Sequence, residues 1–129
     1  MLLTHFDPEV GLPPRWLTPG GAIEPQEDVR EAATRELLEE TGISIKPEDL
    51  GEPVARISGK WVWADGENFH TFTDNFFELT VQDFVLDDSG WTQDERRDVL
   101  EYRWWTPEEL GGTEELIGPP DLVTFISNR

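Results

Sequence analysis

Between Gly21 and Ile43 the chain reads G-x5-E-x7-R-E-L-x-E-E-x-G-I, and no other stretch constrains its fold as tightly. The pattern holds four carboxylates (Glu27, Glu36, Glu39 and Glu40), one arginine (Arg35) and two glycines (Gly21 and Gly42). Pro19-Gly20-Gly21 supplies a tight turn in which backbone can approach a neighbour closely. A helix is expected from about Gln26 to Thr41, because Glu27 and Asp28 favour its N-terminus electrostatically and Gly42 is a natural stop. The segment is therefore read as loop–helix–loop.

On a helical wheel at about 100° per residue, with Glu36 at zero, Glu40 falls near +40° and Glu39 near −60°. Val29, Ala32, Ala33 and Leu37 occupy about −40° to +100° of the same wheel. The three acids thus continue the apolar stripe, whereas a solvated acidic face would lie across the helix from it. Like charges at i,i+4 destabilise a helix, and acids late in it oppose its dipole. Cations at the site would offset both penalties. Hard oxygen ligands favour Mg²⁺, with Mn²⁺ as the alternative, shared between carboxylates and substrate phosphates. Arg35 stands four residues before Glu39 and is expected to hold that carboxylate in place; the plainer alternative is a surface ion pair worth little.

The 129 residues fit one domain, residues 1–129, with enough chain for a core. Hydrophobic residues make up 36% and charged residues 29%, which favours a folded chain over disorder. With zero cysteines, neither disulfides nor a thiolate metal site can form. The formal net charge of −18 repels nucleic-acid polymers and anionic membranes. The plain reading of that surplus is solubility or adaptation to a salty or acidic-proteome host, although part of it lies in the Gly21–Ile43 pattern itself. No apolar run is long enough to span a bilayer and no signal peptide is visible, so a cytoplasmic location is expected.

Strands are expected at Met1–Phe6, Arg15–Thr18, Glu52–Ala64, Phe69–Val81 and Tyr102–Thr106. The first is so short that it reads as a truncated edge strand or a late start. Residues 7–14 form a loop, and Asp65-Gly66-Glu67-Asn68 a turn. Pro107-Glu108-Glu109-Leu110 opens a helix, and Pro119-Pro120 opens another through about Ser127. Strands interleaved with helices give an α/β fold in which helices pack on a mixed sheet.

The Gly21–Ile43 run resembles the signature of the Nudix hydrolases, G-x5-E-x7-R-E-U-x-E-E-x-G-U, where U is a bulky aliphatic. All seven fixed positions and both aliphatic ones, Leu37 and Ile43, agree. From average composition a chance match at a given start is below roughly one in a billion, which decides against coincidence. Trp16-Leu17-Thr18-Pro19-Gly20 and Arg103–Leu110 are also similar to the family, so the likeness runs from about Leu2 to Leu122. Gln26 departs from the glycine found in many members.

The resemblance implies a Nudix-type α/β/α sandwich with a mixed sheet. It implies metal-dependent hydrolysis of a diphosphate bond in a nucleoside diphosphate linked to another group. Carried over by position, Glu36, Glu39 and Glu40 would bind the catalytic cations, the Gly21 carbonyl would add a ligand, and Glu27 and Arg35 would brace the loop–helix–loop. A further acid from a later loop is expected at Glu95, with Asp94 and Glu101 as rivals. The general base stays open between a helix glutamate and that loop acid.

The expected substrate is a small nucleotide-type molecule, with no polymeric nucleic acid and no membrane partner. With six tryptophans in the chain, Trp61, Trp63, Phe69, Phe72 and Phe76 could include a base-stacking wall, but core packing is the reading that better suits alternating strand aromatics. The same aromatics could support a homodimer. Arg15, Arg56 and Lys60 are scarce cations that could meet a terminal phosphate, and His70 reads as surface or core. Two rivals remain: a Nudix-fold sensor that binds a nucleotide without cleaving it, which would be expected to lose signature glutamates, and an isoprenyl diphosphate isomerase, which would want a cysteine.

Overall fold

Strand β1 (Leu2–Phe6) is short, yet it is paired on both sides. The computed structural model, which describes residues 2–6, 14–62, 65–82, 87, 89–93, 96, 99–119 and 121–128, places it in the order β5-β1-β2-β6. Here β2 is Arg15–Leu17, β5 Val99–Trp104 and β6 Ile117–Gly118. Strand β1 runs antiparallel to both β2 and β5, while β2 and β6 are parallel. The sheet is mixed, as expected of the α/β class, but its first strand is internal and not an edge.

The chain divides into two compact units, one of Met1–Thr18, Arg56–Asp74 and Arg97–Arg129, the other of Pro19–Ala55 and Asn75–Arg96. In the first, Trp16 is 1% exposed and meets Trp105 edge-on, with ring centroids 5.1 Å apart at 75°. Such a pair adds about 0.5–1.5 kcal/mol beyond the burial of its area. Leu110 completes this cluster, with Ile117, Val123 and Ile126 packed against it. The Trp16 indole N–H is not wasted, since it donates to Glu115 Oε2 at 3.1 Å. The two helices that close the cluster are α2 (Pro107–Gly112) and α3 (Asp121–Ser127).

Helix α2 starts as its sequence dictates. Thr106 Oγ1 accepts from the Glu109 N–H at 3.2 Å, and Glu109 Oε2 accepts from the Thr106 N–H at 3.0 Å, a reciprocal capping box with Pro107 in the first turn. Thr106→Ala should therefore cost about 1 kcal/mol in urea unfolding. An unchanged midpoint would show that packing of Leu110 alone sets this helix.

Strands β3 (Ala55–Val62) and β4 (Phe69–Phe76) form a separate two-stranded sheet. Both are shorter than expected, β3 beginning three residues later than Glu52 and β4 ending five before Val81. Asp65 caps the turn between them by accepting from the N–H groups of Glu67 and Asn68, each at 2.9 Å. Phe72 lies across Gly59, where a Cβ would meet the ring at 2.9 Å. Phe72 is half-buried there. Phe69 is exposed and instead lies under Lys60, whose Nζ is 4.5 Å from the ring centroid. His70 and Arg56 are exposed and Arg15 is half-buried. Trp63 and the side chain of Trp61 lie outside the described residues, as do Pro120 and most of the 7–14 loop.

In the second unit, α1 (Val29–Thr41) is followed by a single turn of 3₁₀-helix, Pro47–Leu50, which periodicity had not singled out. Helix α1 buries Ala32, Thr34 and Thr41. The threonine hydroxyls become buriable by bonding back within the helix, Thr34 Oγ1 to the Glu31 carbonyl at 3.0 Å and Thr41 Oγ1 to the Leu37 carbonyl at 2.6 Å. The buried arc is thus wider than the apolar stripe on the wheel. Among the described residues, no helix is long and apolar enough to cross a membrane.

Candidate active site

Helix α1 begins at Val29, later than expected, because Asp28 is its N-cap. The Asp28 carboxylate accepts from the Glu31 N–H at 2.9 Å while its own backbone is extended. Glu27 therefore belongs to the preceding turn, where its N–H donates to the Glu24 carbonyl at 3.0 Å and its Oε1 accepts from the Glu24 N–H at 2.9 Å. From that turn it reaches over the helix to Arg35.

Arg35 is the hub. Its Nε and one terminal nitrogen clamp both oxygens of Glu27 at 2.7 and 2.9 Å, the forked geometry that suits guanidinium and carboxylate. The same terminal nitrogen donates to the Ala22 carbonyl at 3.0 Å. The other reaches Glu36 Oε1 at 2.9 Å and Glu39 Oε2 at 3.4 Å. The spacing argument had paired Arg35 with Glu39; the strong partner is Glu27, eight residues away. Arg35 thus ties the turn to the helix and partly offsets the crowding of its acids.

These hydrogen bonds set the protonation of the pair. Arg35, then the Glu24 N–H, holds the Glu27 carboxyl below the ordinary carboxylate range, and Arg35 in turn keeps its proton more tightly than a free guanidinium. A lowered folded-state value favours the fold above the ordinary value of 4.5, and that contribution disappears as pH falls through the lowered value. Melting followed by circular dichroism between pH 7 and 3 should show wild type above Glu27→Gln at neutral pH, with the gap closing below pH 4.5. A gap independent of pH would contradict the clamp.

The Gly20-Gly21 turn faces the same acids. Glu40 Oε2 accepts from the Gly20 N–H at 3.0 Å. A Cβ on Gly21 would stand 2.6 Å from Glu36 Cδ and 2.9 Å from its Oε2, so the bare glycine is what lets that carboxylate lie against the turn. The Glu36 side chain is 15% exposed and that of Glu39 42%, so of these two acids, both read as continuing the apolar stripe, Glu36 is covered and Glu39 is open to solvent.

At the far end, Gly42 takes the left-handed conformation (φ 82°) and its N–H returns to the Leu38 carbonyl at 2.9 Å. Three further groups close that end, none anticipated from the sequence. The Asp87 N–H donates to the Thr41 carbonyl at 3.0 Å, Trp91 Nε1–H donates to the Glu40 carbonyl at 2.8 Å, and Gly90 lies against the Glu39 backbone. The Asp87-Asp88-Ser89-Gly90 run was a readable signal, since Asp and Gly at this spacing favour a turn. The Asp87 carboxylate accepts from the Ser89 N–H at 2.9 Å, which lowers its pKa.

Glu36, Glu39, Glu40, Arg35 and Gly21 are thus brought together. Glu95 and Asp94 lie outside the described residues, and Glu101 is exposed on β5. Among the described residues, no three His, Asp or Glu side chains are gathered into a metal cage. The reason is visible in the hydrogen bonds: Glu36 and Glu39 turn toward Arg35, and Glu40 toward Gly20. The donors suit a hard divalent cation in kind and in their placement on one helix.

The family model for the NUDIX domain matches residues 1–126. An RNA pyrophosphohydrolase of Erythrobacter litoralis is 34% identical over 110 residues, covering 74% of this chain and 61% of that protein. An RNA pyrophosphohydrolase of Dinoroseobacter shibae is 55% identical over 49 residues, covering 37% of this chain and 29% of that protein. Among solved structures, a MutT protein from Methanosarcina mazei Go1 aligns with a TM-score of 0.68 at 23% identity, over 98% of this chain and 80% of that one, a likeness of fold. Three of the curated relatives are matched over only 14%, 29% and 40% of their own length.

Proposed function

The chain belongs to the Nudix domain family, and from that premise we propose that it hydrolyses a diphosphate bond in a nucleoside diphosphate linked to another group. Nudix hydrolases generally use divalent metal ions. The observation that carries the reading is the seating of two helix carboxylates against a glycine turn, Glu36 on Gly21 and Glu40 on the Gly20 N–H, with Arg35 meeting Glu36 and the third acid, Glu39.

In this reading Glu36, Glu39 and Glu40 would hold Mg²⁺, with Mn²⁺ as the alternative, the Gly21 carbonyl would add a ligand, and Glu95 would be a further catalytic acid. When bound, the cation neutralises charge on the diphosphate oxygens and lowers the pKa of bound water. Water attacks one phosphorus in line, the bridging P–O bond breaks, and a carboxylate takes the water's proton. The base is one of the helix glutamates or the later acid. Arg35, whose one terminal nitrogen meets both Glu36 and Glu39, offsets the repulsion between them.

The substrate we propose is a small nucleotide derivative handled in the cytoplasm by one domain spanning residues 1–129. The net charge of −18 disfavours a long RNA, while the RNA pyrophosphohydrolases among its relatives make a 5′-phosphorylated RNA end the comparison to run beside it. The deciding experiment is release of phosphate or pyrophosphate from a panel of nucleotide derivatives and a short 5′-triphosphate RNA with Mg²⁺, with products identified. Turnover of a nucleotide is expected. Saturable binding with no turnover of any substrate would make the protein a sensor instead.

A further inference from the structure

We propose that Trp91 and Gly90 are positioning residues for the acids of the site, a role outside the Gly21–Ile43 signature. The proposal rests on the reading of Glu39 and Glu40 as metal ligands. The last turn of α1 carries two adjacent carboxylates and no basic residue, so no cationic side chain of its own offsets the negative end of the helix dipole. The donors to its Glu40 and Thr41 carbonyls come from a later segment. Trp91 Nε1–H serves the Glu40 carbonyl at 2.8 Å and the Asp87 N–H serves the Thr41 carbonyl at 3.0 Å. Gly90 lets this segment sit flush, since a Cβ there would meet the Glu39 carbonyl oxygen at 2.8 Å and its Cα at 3.0 Å. Those are backbone atoms and cannot swing aside.

The backbone of both acids is therefore gripped by a segment some fifty residues further along the chain, 51 in the case of Trp91 and Glu40. Fraying of that turn would let the two carboxylates wander relative to Glu36. The grip should show itself in how tightly the site holds a cation, not in how it contacts substrate.

The test is direct Mn²⁺ binding, read from the paramagnetic resonance of the free ion, for wild type, Trp91→Phe and Gly90→Ala. Trp91→Phe keeps an aromatic ring and removes the donor together with part of the indole. It should weaken Mn²⁺ about fivefold, the effect of one hydrogen bond of ~1 kcal/mol. Gly90→Ala should weaken it at least as much, because the whole segment must lift. At saturating metal the KM for a nucleotide substrate should not change. Unchanged Mn²⁺ affinity in either folded variant overturns the proposal. A wild-type measurement needs no variant to fold: Mn²⁺ should slow amide exchange in residues 89–91, and identical exchange with and without the ion would overturn it too. If wild type itself binds no Mn²⁺, the metal reading fails first.

Discussion

Glu36→Gln is expected to lower kcat/KM by roughly 10²- to 10³-fold, ~3–4 kcal/mol of barrier, while the melting temperature stays near that of wild type. The asymmetry follows from the geometry. Glutamine keeps the shape of the side chain against Gly21, and its carbonyl still accepts from Arg35, which sits 2.9 Å from Glu36 Oε1. It also removes a like charge from the Glu36/Glu40 pair, which relieves the helix. What is lost is a hard anionic oxygen. Glu40→Gln should behave the same way, because a glutamine oxygen can still accept from the Gly20 N–H. Circular dichroism and steady-state kinetics with the substrate found in the panel check both. Wild-type turnover by either folded variant would remove the glutamates from the mechanism.

Gly21→Ala is expected to lose on the order of 10²-fold in kcat/KM, through position alone. The added Cβ would stand 2.6 Å from Glu36 Cδ, and what must yield is the end of a flexible side chain, not backbone. The fold therefore tolerates the methyl group, but the carboxylate leaves its seat. Because both changes act through one oxygen pair, Gly21→Ala added to Glu36→Gln should cost little more than Glu36→Gln alone. A fully additive double mutant would mean that the glycine serves the turn and not the carboxylate. The stability of Gly21→Ala, measured in urea, separates a displaced acid from a damaged loop.

Much of the site was legible because its logic is local. Spacing alone put Glu36, Glu39 and Glu40 on one side of a helix and Gly42 at its end, and the left-handed Gly42 follows from short-range sterics. Thr106 and Glu109 likewise announce the start of α2. Misreadings arose where two local signals competed. Glu27 and Asp28 both favour a helix N-terminus, and only Asp28 caps it, so the helix starts at Val29. The i,i+4 rule paired Arg35 with Glu39, and that contact is present at 3.4 Å, but the forked clamp on Glu27 is the closer one at 2.7 Å. Thr34 and Thr41 gave no apolar signal, since their burial depends on hydroxyls folded back onto the helix.

The sequence by itself determined the family, the placement of Glu36, Glu39 and Glu40 on one side of α1 and the Gly42 stop of that helix, because the last two rest on short-range backbone geometry. Tertiary structure alone decided that Arg35 clamps Glu27, that Glu40 bonds Gly20, and that Trp91 grips the Glu40 carbonyl, over separations of 8, 20 and 51 residues. Partners that far apart meet only where the chain turns back on itself. A periodicity records which face of a helix a residue occupies, but it carries no record of which distant segment will return to cover it.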